Sequence, residues 1–291
     1  MTKLERLIFG CPEFRALGMG ATKEEKQRVL DQIADKIVTG NEELIASHVR
    51  EVYDDTADEY VANPHNQGII PELITFMDML PDGASVLDIG CGPGRDALFM
   101  SIGNDDFRAT QMGRVSGGKT VLQKFGVPKK VFSVIGIDTS GGMLKYALRT
   151  TYELMGIGLI PMGEIFPMFI CGDMRLFSPG EFDGIWSCAA LLTHTPSTQV
   201  QRTIEKVSGL LNKGGILFLS YTNGREDGHY DKLLLSSTGR IKYFSQPDPD
   251  FVSQTAIGCS LKLLSESFGD FEVGGKILKK NLFASQFFKK I

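Results

Sequence analysis

The sequence predicts an α/β fold organised as a doubly wound, mostly parallel sheet, and three observations carry that expectation. Residues 85–100 read as a short apolar strand, a turn with glycines at 90, 92 and 94, and a helix. Residues 131–137 are nearly all apolar, as a parallel strand covered by helices on both faces should be, and 168–171 and 182–188 repeat the theme. Residues 271–279 and 282–288 read instead as an antiparallel strand pair divided by Lys280 and Asn281.

The 291 residues suffice for one large domain with additions. We divide them into an N-terminal arm and helical lid over 1–68 and a main domain over 69–291, with insertions near 102–130 and 155–167. A formal charge of −4 offers no basic surface, which argues against a nucleic-acid partner. No apolar run is long enough to span a bilayer, and the first ten residues are too short in apolar character for a signal peptide, so a cytoplasmic protein without membrane contact is expected. The five cysteines, Cys11, Cys91, Cys171, Cys188 and Cys259, are scattered and odd in number. Free thiols follow, rather than disulfides or a metal site. Monomer and homodimer both stay open.

From the N-terminus, residues 1–20 lack a clear period and read as an irregular arm. Thr22 with Glu25 caps a helix carrying Val29, Leu30, Ile33 and Ile37, which stops at Gly40. Asn41 is the expected cap of a second helix, on whose end Tyr53, Ala57 and Tyr60 share one face. Packing of aromatics onto the domain is one reading of that face, and ligand contact the other. After a loop at 63–68, Pro71 to Leu80 forms a helix and Pro81-Asp82-Gly83 a turn.

The next stretch, Asp88-Ile89-Gly90-Cys91-Gly92-Pro93-Gly94-Arg95, holds the strongest chemical signal. Glycines let a backbone turn sharply and approach a ligand, and a following helix points amide hydrogens to the same place. The spacing departs from the dinucleotide fingerprint at its third glycine. It resembles the first motif of the class I S-adenosylmethionine (SAM)-dependent methyltransferases, acidic-x-Gly-x-Gly-x-Gly. Their fold is a Rossmann-like seven-stranded sheet whose last strand is antiparallel, which the C-terminal strand pair would complete.

The rest of the chain is compatible with that resemblance. Residues 102–130 exceed a direct connection, and Thr120 to Phe125 reads as a short extra helix within them. The second strand ends at Asp138, followed by Thr139 and a helix over Met143 to Arg149. An acid there can accept bonds from both ribose hydroxyls; alternatively Asp138 or Thr139-Ser140 caps the helix. The resemblance implies the ribose role for Asp138, with Thr139 and Met143 alongside. It also implies that Asp173 and Met174, in Gly172-Asp173-Met174 after the third strand, meet the adenine. Cys188 and Ala189, the small residues ending the fourth strand, would leave room beside the sulfonium. By the same likeness Tyr53 and Tyr60 belong to a lid over the cofactor.

Trp186 reads as core. Helical spacing over 196–211, a glycine stop at 214–215 and a strand over 216–220 follow, then a polar loop over 223–231 and an extended segment over 241–244. A helix is expected over 252–268.

Methyl transfer from SAM requires alignment and exclusion of water more than a strong base. His194, just past the fourth strand, is the candidate catalytic base, the alternative being that it orients its loop. His229, Tyr221, His48 and His65 are weaker candidates. The resemblance thus implies methyl transfer to an O, N or C atom of a small molecule, with SAM as cofactor. A SAM-binding regulatory protein without turnover and a nicotinamide oxidoreductase are the competing readings.

Overall fold

The computed structural model describes the chain except residues 19, 64–68, 114–125, 161–165, 177–179, 225–229, 237–238 and 274–275, and the side chains of 271–279. The short helix expected over 120–125, His65 and His229 lie outside the described residues. Seven strands form the main sheet: β1 (Ser85–Ile89), β2 (Ser133–Asp138), β3 (Met168–Cys171), β4 (Phe182–Cys188), β5 (Leu211–Thr222), β8 (Leu261–Val273) and β9 (Lys276–Lys290), in the order β3-β2-β1-β4-β5-β9-β8. β1 to β5 pair parallel, while β9 runs antiparallel to both β5 and β8. The strand order reverses between β1 and β4, where a doubly wound sheet opens a crevice beyond its carboxyl ends.

Helices cover both faces. α6 (Pro71–Met79) and α7 (Arg95–Ser101) share one core with Val86, Phe132 and Trp186; α10 (Val200–Gly209) and α11 (Pro249–Gly258) share another with Leu87, Ile185 and Leu217. Trp186 is fully buried and stacks on Phe218 at 4.1 Å, as a core tryptophan should. α8 (Asp105–Gly113) occupies part of the first expected insertion. Its buried Arg108 donates to the carbonyls of Phe99, Met100, Pro128 and Lys130, so it closes the C-terminal end of α7. α9 (Gly141–Gly156) is longer than its predicted span, and Ile160 beyond it is buried against Leu98 and Ile102.

Several expectations are corrected. The N-terminal arm is helical, with α1 (Lys3–Gly10) and α2 (Pro12–Arg15), because Thr2 and Glu5 form a reciprocal capping box. α3 (Lys23–Val38) begins with the expected box at Thr22 and Glu25. Asn41 does not cap its helix: its amide donates back to the Ile37 carbonyl at 2.9 Å. That helix is two, α4 (Glu42–Asp55) and α5 (Ala57–Ala62), divided at Thr56, whose hydroxyl donates to the Val52 carbonyl. The helix expected over 252–268 stops at Gly258, and Ser260 in the left-handed region (φ 62°) turns the chain into β8. Lys280 and Asn281 are not the hairpin turn, since β8 and β9 pair onward to Val273 and Lys276. Asn281 (φ 49°) instead donates its backbone N–H to Asp270, opposite a register shift.

The lid is composite. β6 (Asp231–Leu235) and β7 (Ile241–Ser245) form a separate antiparallel hairpin, and Leu233, Ile241 and Tyr243 share a core with Leu4, Ile8, Leu30 and Ile45. Gln27 on α3 clasps the edge of β6, donating to the Leu233 carbonyl and accepting from the Leu235 N–H. His48 on α4 bridges the Thr2 hydroxyl and the Ile241 carbonyl, each at 2.8 Å. The lid meets the main domain where Asp54 accepts from the Ser140 hydroxyl at 2.8 Å and the Gly142 N–H at 2.9 Å. A Cβ on Gly142 would stand 3.0 Å from the Asp54 carbonyl, so only glycine permits that approach without adjustment.

Removing this contact should loosen the lid alone. Asp54→Ala is expected to raise amide hydrogen exchange in 42–62 by about tenfold, the loss of a bond or two worth ~1–2 kcal/mol. Exchange in β1 and β4 should stay unchanged; equal acceleration there would refute the local anchoring.

Candidate functional site

The turn after β1 is shaped by close approach. Gly90 has φ 72°, and a Cβ there would fall 2.2 Å from the Ala190 Cβ in the loop after β4. Gly94 (φ 81°) lies against the Phe169 ring and Ala147, where a Cβ would come within 2.7 Å and 2.9 Å. The amide hydrogens do not point at a ligand as the sequence suggested. Gly90 and Cys91 donate to the Ile137 carbonyl, Gly94 to that of Cys91, and Gly92 to the Asp138 carboxylate at 2.9 Å. The glycines therefore bring strand ends together, and the side chains around them make the site.

Tyr53, Tyr60, Gly90, Gly92, Asp138, Thr139, Met143, Asp173, Met174, Cys188, Ala189 and His194 line one cleft, whose empty volume counted out to its mouth is about 790 Å³. Asp88, Cys91 and Arg95 line a smaller pocket alongside, which shares Tyr60, Gly90, Gly92 and Cys188 with the cleft. Gly94 lines neither and acts through packing. The sequence reading missed Ala46, Arg175, Leu191 and Thr195 in the cleft and Asp96 in the pocket. Ala46 precedes Val49 and Tyr53 at helical spacing, a legible signal; nothing in the sequence singles out Arg175.

The capping question at Asp138 has an answer in the geometry. Ser140 is the N-cap of α9, accepting from the Met143 N–H, whereas Asp138 accepts from the Ser140 N–H at 2.8 Å and the Gly92 N–H. Burial pushes its carboxyl up against those two bonds and a further backbone bond from Thr139. Asp173 is drawn the other way. Burial alone would raise it, but Arg175 grips both its oxygens, at 2.6 Å for the shortest, and holds it below the usual carboxylate range. Arg175 also donates to Gln199 and approaches Glu43 of α4 at 3.9 Å.

In the smaller pocket Arg95 pairs with Asp96 at 2.6 Å, and the Trp186 indole donates to Asp96 at 2.9 Å. Asp88 is 2% exposed, and its Oδ2 has no hydrogen-bond partner among the described residues. Burial, with Asp96 adding repulsion, pushes the Asp88 carboxyl far up. Burial likewise pushes the Cys188 thiol up to about 12, so it stays neutral.

His194 meets the lid. Its Nε2 lies 3.0 Å from the Tyr53 hydroxyl, and its ring stands edge-on to Tyr53 and tilted to Phe244. Burial lowers it to about 4; the Tyr243 backbone opposes the shift and the Lys242 charge reinforces it. Tyr53 and Tyr60 pack edge to face at 6.1 Å. Tyr221 is placed elsewhere, buried and bonded to Gln286, and His48 sits inside the lid core. Among the described residues no group of His, Cys, Asp and Glu is arranged to hold a metal ion, and no helix is long and apolar enough to cross a membrane.

Comparison with known proteins agrees with this architecture. A family model of a methyltransferase domain matches residues 115–219, a span that starts after the glycine turn. No curated protein gives a significant sequence match. Among solved structures, the SAM-bound magnesium protoporphyrin IX methyltransferase of Synechocystis is 14% identical, with a TM-score of 0.54 over 85% of this chain and 97% of its own. The 1,6-didemethyltoxoflavin-N1-methyltransferase of Burkholderia thailandensis, solved with its substrate and S-adenosylhomocysteine (SAH), is 14% identical, with a TM-score of 0.53 over 86% and 90%. The [4+2]-cyclase SpnF is 15% identical, with a TM-score of 0.52 over 82% and 94%. At these identities the likeness is one of fold.

Two substitutions test the geometry. Gly90→Ala should destabilise the protein by about 3 kcal/mol through overpacking and a disfavoured φ. Adding Ala190→Gly should recover part of that loss, and a denaturant series with no recovery would contradict the close approach. For Asp88, a raised folded value means that the folded state holds its proton while the unfolded chain, near 3.9, gives it up. Stability from this group is therefore complete below about 3.9 and lost as pH rises through the folded value. The melting temperature of Asp88→Asn relative to wild type should climb from pH 4.5 to pH 8, and a constant difference would show that Asp88 titrates normally.

Proposed function

We propose that the cleft binds SAM and directs methyl transfer to a small-molecule acceptor, in a chain whose fold is that of the class I SAM-dependent methyltransferases and whose residues 115–219 match the model of a methyltransferase domain. The observation that carries the reading is the meeting of Asp138, Asp173 and Ala189, each from a different strand end, around one cleft with the unpartnered Asp88 Oδ2 in the pocket beside it.

The residues fit the cofactor. Asp138 is fixed by two backbone N–H groups and retains acceptor capacity for ribose hydroxyls. Met143, Met174 and Leu191 supply apolar surface for a base, with the Asp173–Arg175 pair at its edge. In the pocket lined by Asp88, Arg95 and Asp96, the Asp88 Oδ2 has no hydrogen-bond donor among the described residues, which an amino-acid ammonium would supply, while Arg95 suits a carboxylate. Cys188 and Ala189 between these regions are small and uncharged, as the vicinity of a sulfonium requires. Ala189 takes a left-handed conformation (φ 51°) just past the end of β4.

When bound, SAM supplies a methyl group to the acceptor's nucleophilic atom and keeps the electron pair of the broken carbon–sulfur bond, leaving as the neutral thioether SAH. The protein's part is to orient and to exclude water. α4 and α5 lie over the cleft, held at Asp54 and Asp58 through Ser140 and Tyr146. Tyr53 and Tyr60 then stand between cofactor and solvent, and His194 faces the acceptor end.

Calorimetry with SAM and SAH tests the binding arm. Both should bind, NAD should not, and Asp138→Ala should weaken SAM about 10- to 100-fold, the equivalent of one or two lost charge-assisted bonds. Failure of SAM and SAH to bind, or preference for NAD, would end the proposal. Incubation with methyl-labelled SAM and pooled small metabolites tests turnover; SAM binding with no labelled product would favour the regulatory reading.

A further inference from the structure

We propose that the lid end of the cleft is a subsite for an acceptor that is uncharged where it enters and carries an O–H or N–H, and that the Tyr53 oxygen, oriented by His194, receives that hydrogen bond. The inference rests on the methyl-transfer reading and adds the acceptor's chemical class and the group that meets it.

The subsite lies between Ala46, Val49 and Tyr53 on α4 and Leu191, His194 and Thr195 after β4. None of these is charged at neutral pH, since His194 is held neutral by its burial. The charged groups of the cleft stand elsewhere. Asp173 and Arg175 neutralise one another, and Asp138 is bound by backbone. Lys242, whose charge acts on His194, lines the adjoining pocket behind Val49, Tyr53 and His194 and not the cleft, so a carboxylate or ammonium entering between α4 and the β4 loop would lose its hydration without a counter-charge in the cleft lining at this end, which is strongly unfavourable.

The tautomer of His194 decides which way the hydrogen bond between Tyr53 and His194 points. The backbone of Tyr243 favours a proton on the imidazole without closing a hydrogen bond to it, and buried Nδ1 has no other partner. We therefore assign the proton to Nδ1, so that Nε2 accepts from the Tyr53 hydroxyl at 3.0 Å. With its O–H engaged, the Tyr53 oxygen is an acceptor towards the cleft and suits a ligand that donates. An apolar ligand without a donor gains nothing from it.

This arrangement also handles the acceptor's proton. A hydroxyl or amine becomes strongly acidic as it gains a methyl group, so a weak base suffices. The acceptor's proton passes to the Tyr53 oxygen while the Tyr53 proton passes to His194 Nε2. Tyrosine ends neutral, the ring carries the single positive charge, and an imidazole of such low basicity releases its proton to water. His194 thus has no need to ionise the acceptor beforehand.

The test uses the full-length protein saturated with SAH and four probes, p-cresol, toluene, benzoate and benzylammonium, followed by calorimetry or ligand-observed NMR. Wild type should bind p-cresol about fivefold more tightly than toluene, the worth of one net hydrogen bond. Benzoate and benzylammonium should bind at least about tenfold more weakly than p-cresol. With SAH kept saturating, Tyr53→Phe should abolish the advantage of p-cresol over toluene, and imidazole 15N shifts at pH 7 should show His194 as the neutral Nδ1–H form. The proposal is overturned if a charged probe equals p-cresol, if p-cresol is no better than toluene, if Tyr53→Phe keeps the preference, if His194 is the Nε2–H form, or if no probe binds saturably. Each of those results with SAH bound normally leaves the cofactor reading standing; absence of SAH binding overturns both.

Discussion

The site depends on a single steric constraint, the contact of the β1 turn with the loop that leaves β4. Gly90 and Ala190 meet so closely that a second Cβ could not be placed between them. A second glycine contact supports the first, because Gly136 on β2 leaves room for the Cys91 sulfur and the Phe169 ring. These approaches pull three parallel strand ends inward around one point. Once there, the turn's amides are satisfied by Ile137, Cys91 and Asp138, which makes it a rigid wall. The ligand-facing chemistry is left to side chains, unlike a phosphate loop whose free amides hold the ligand directly.

Electrostatics follow from the same compaction. Asp88, Asp96 and Asp138 are brought together with little water, and Arg95 is the cation shown pairing with them. Asp96 is satisfied by Arg95 and Trp186 and Asp138 by backbone, whereas Asp88 has a backbone hydrogen bond from Ala97 and an Oδ2 without a partner among the described residues. An excess of buried acid is unfavourable in the empty protein and becomes favourable when a cation enters. On the proposed reading, stability and ligand affinity are coupled through Asp88, since a cation bound there would relieve the burial of its charge.

Much of this was legible in the sequence for a definite reason. Parallel strands are buried on both faces, so their apolar runs stand out, and the acids at their ends stand out against them: Asp88, Asp138 and Asp173 were all found this way. What stayed hidden was set by long-range partners. Arg175 matters because it reaches Asp173, Gln199 and Glu43, and its residue type gives no hint of that. The helix expected through Phe268 failed because Leu261, Leu263 and Leu264 fit either period, and pairing with β9 decides for strand. The N-terminal helix carries its own signal in the Thr2–Glu5 capping box, which the lack of a clear apolar period over 1–20 obscures.

The composite lid explains how an acceptor pocket can differ from protein to protein on a shared fold. Tyr53 comes from α4, His194 from the loop after β4 and Phe244 from β7, yet their rings pack in one group. The hairpin holding Phe244 interrupts the sheet order after β5, and its core is the core of the N-terminal helices. Neither piece buries its apolar face alone, so the two segments stabilise each other across nearly the whole length of the chain. A change in the hairpin must consequently move α4, and with it the Tyr53 oxygen. Cofactor geometry is insulated from such movement because the strand ends are fixed by glycine contacts in the main domain. Selectivity can thus drift in the lid while the cleft floor keeps its shape.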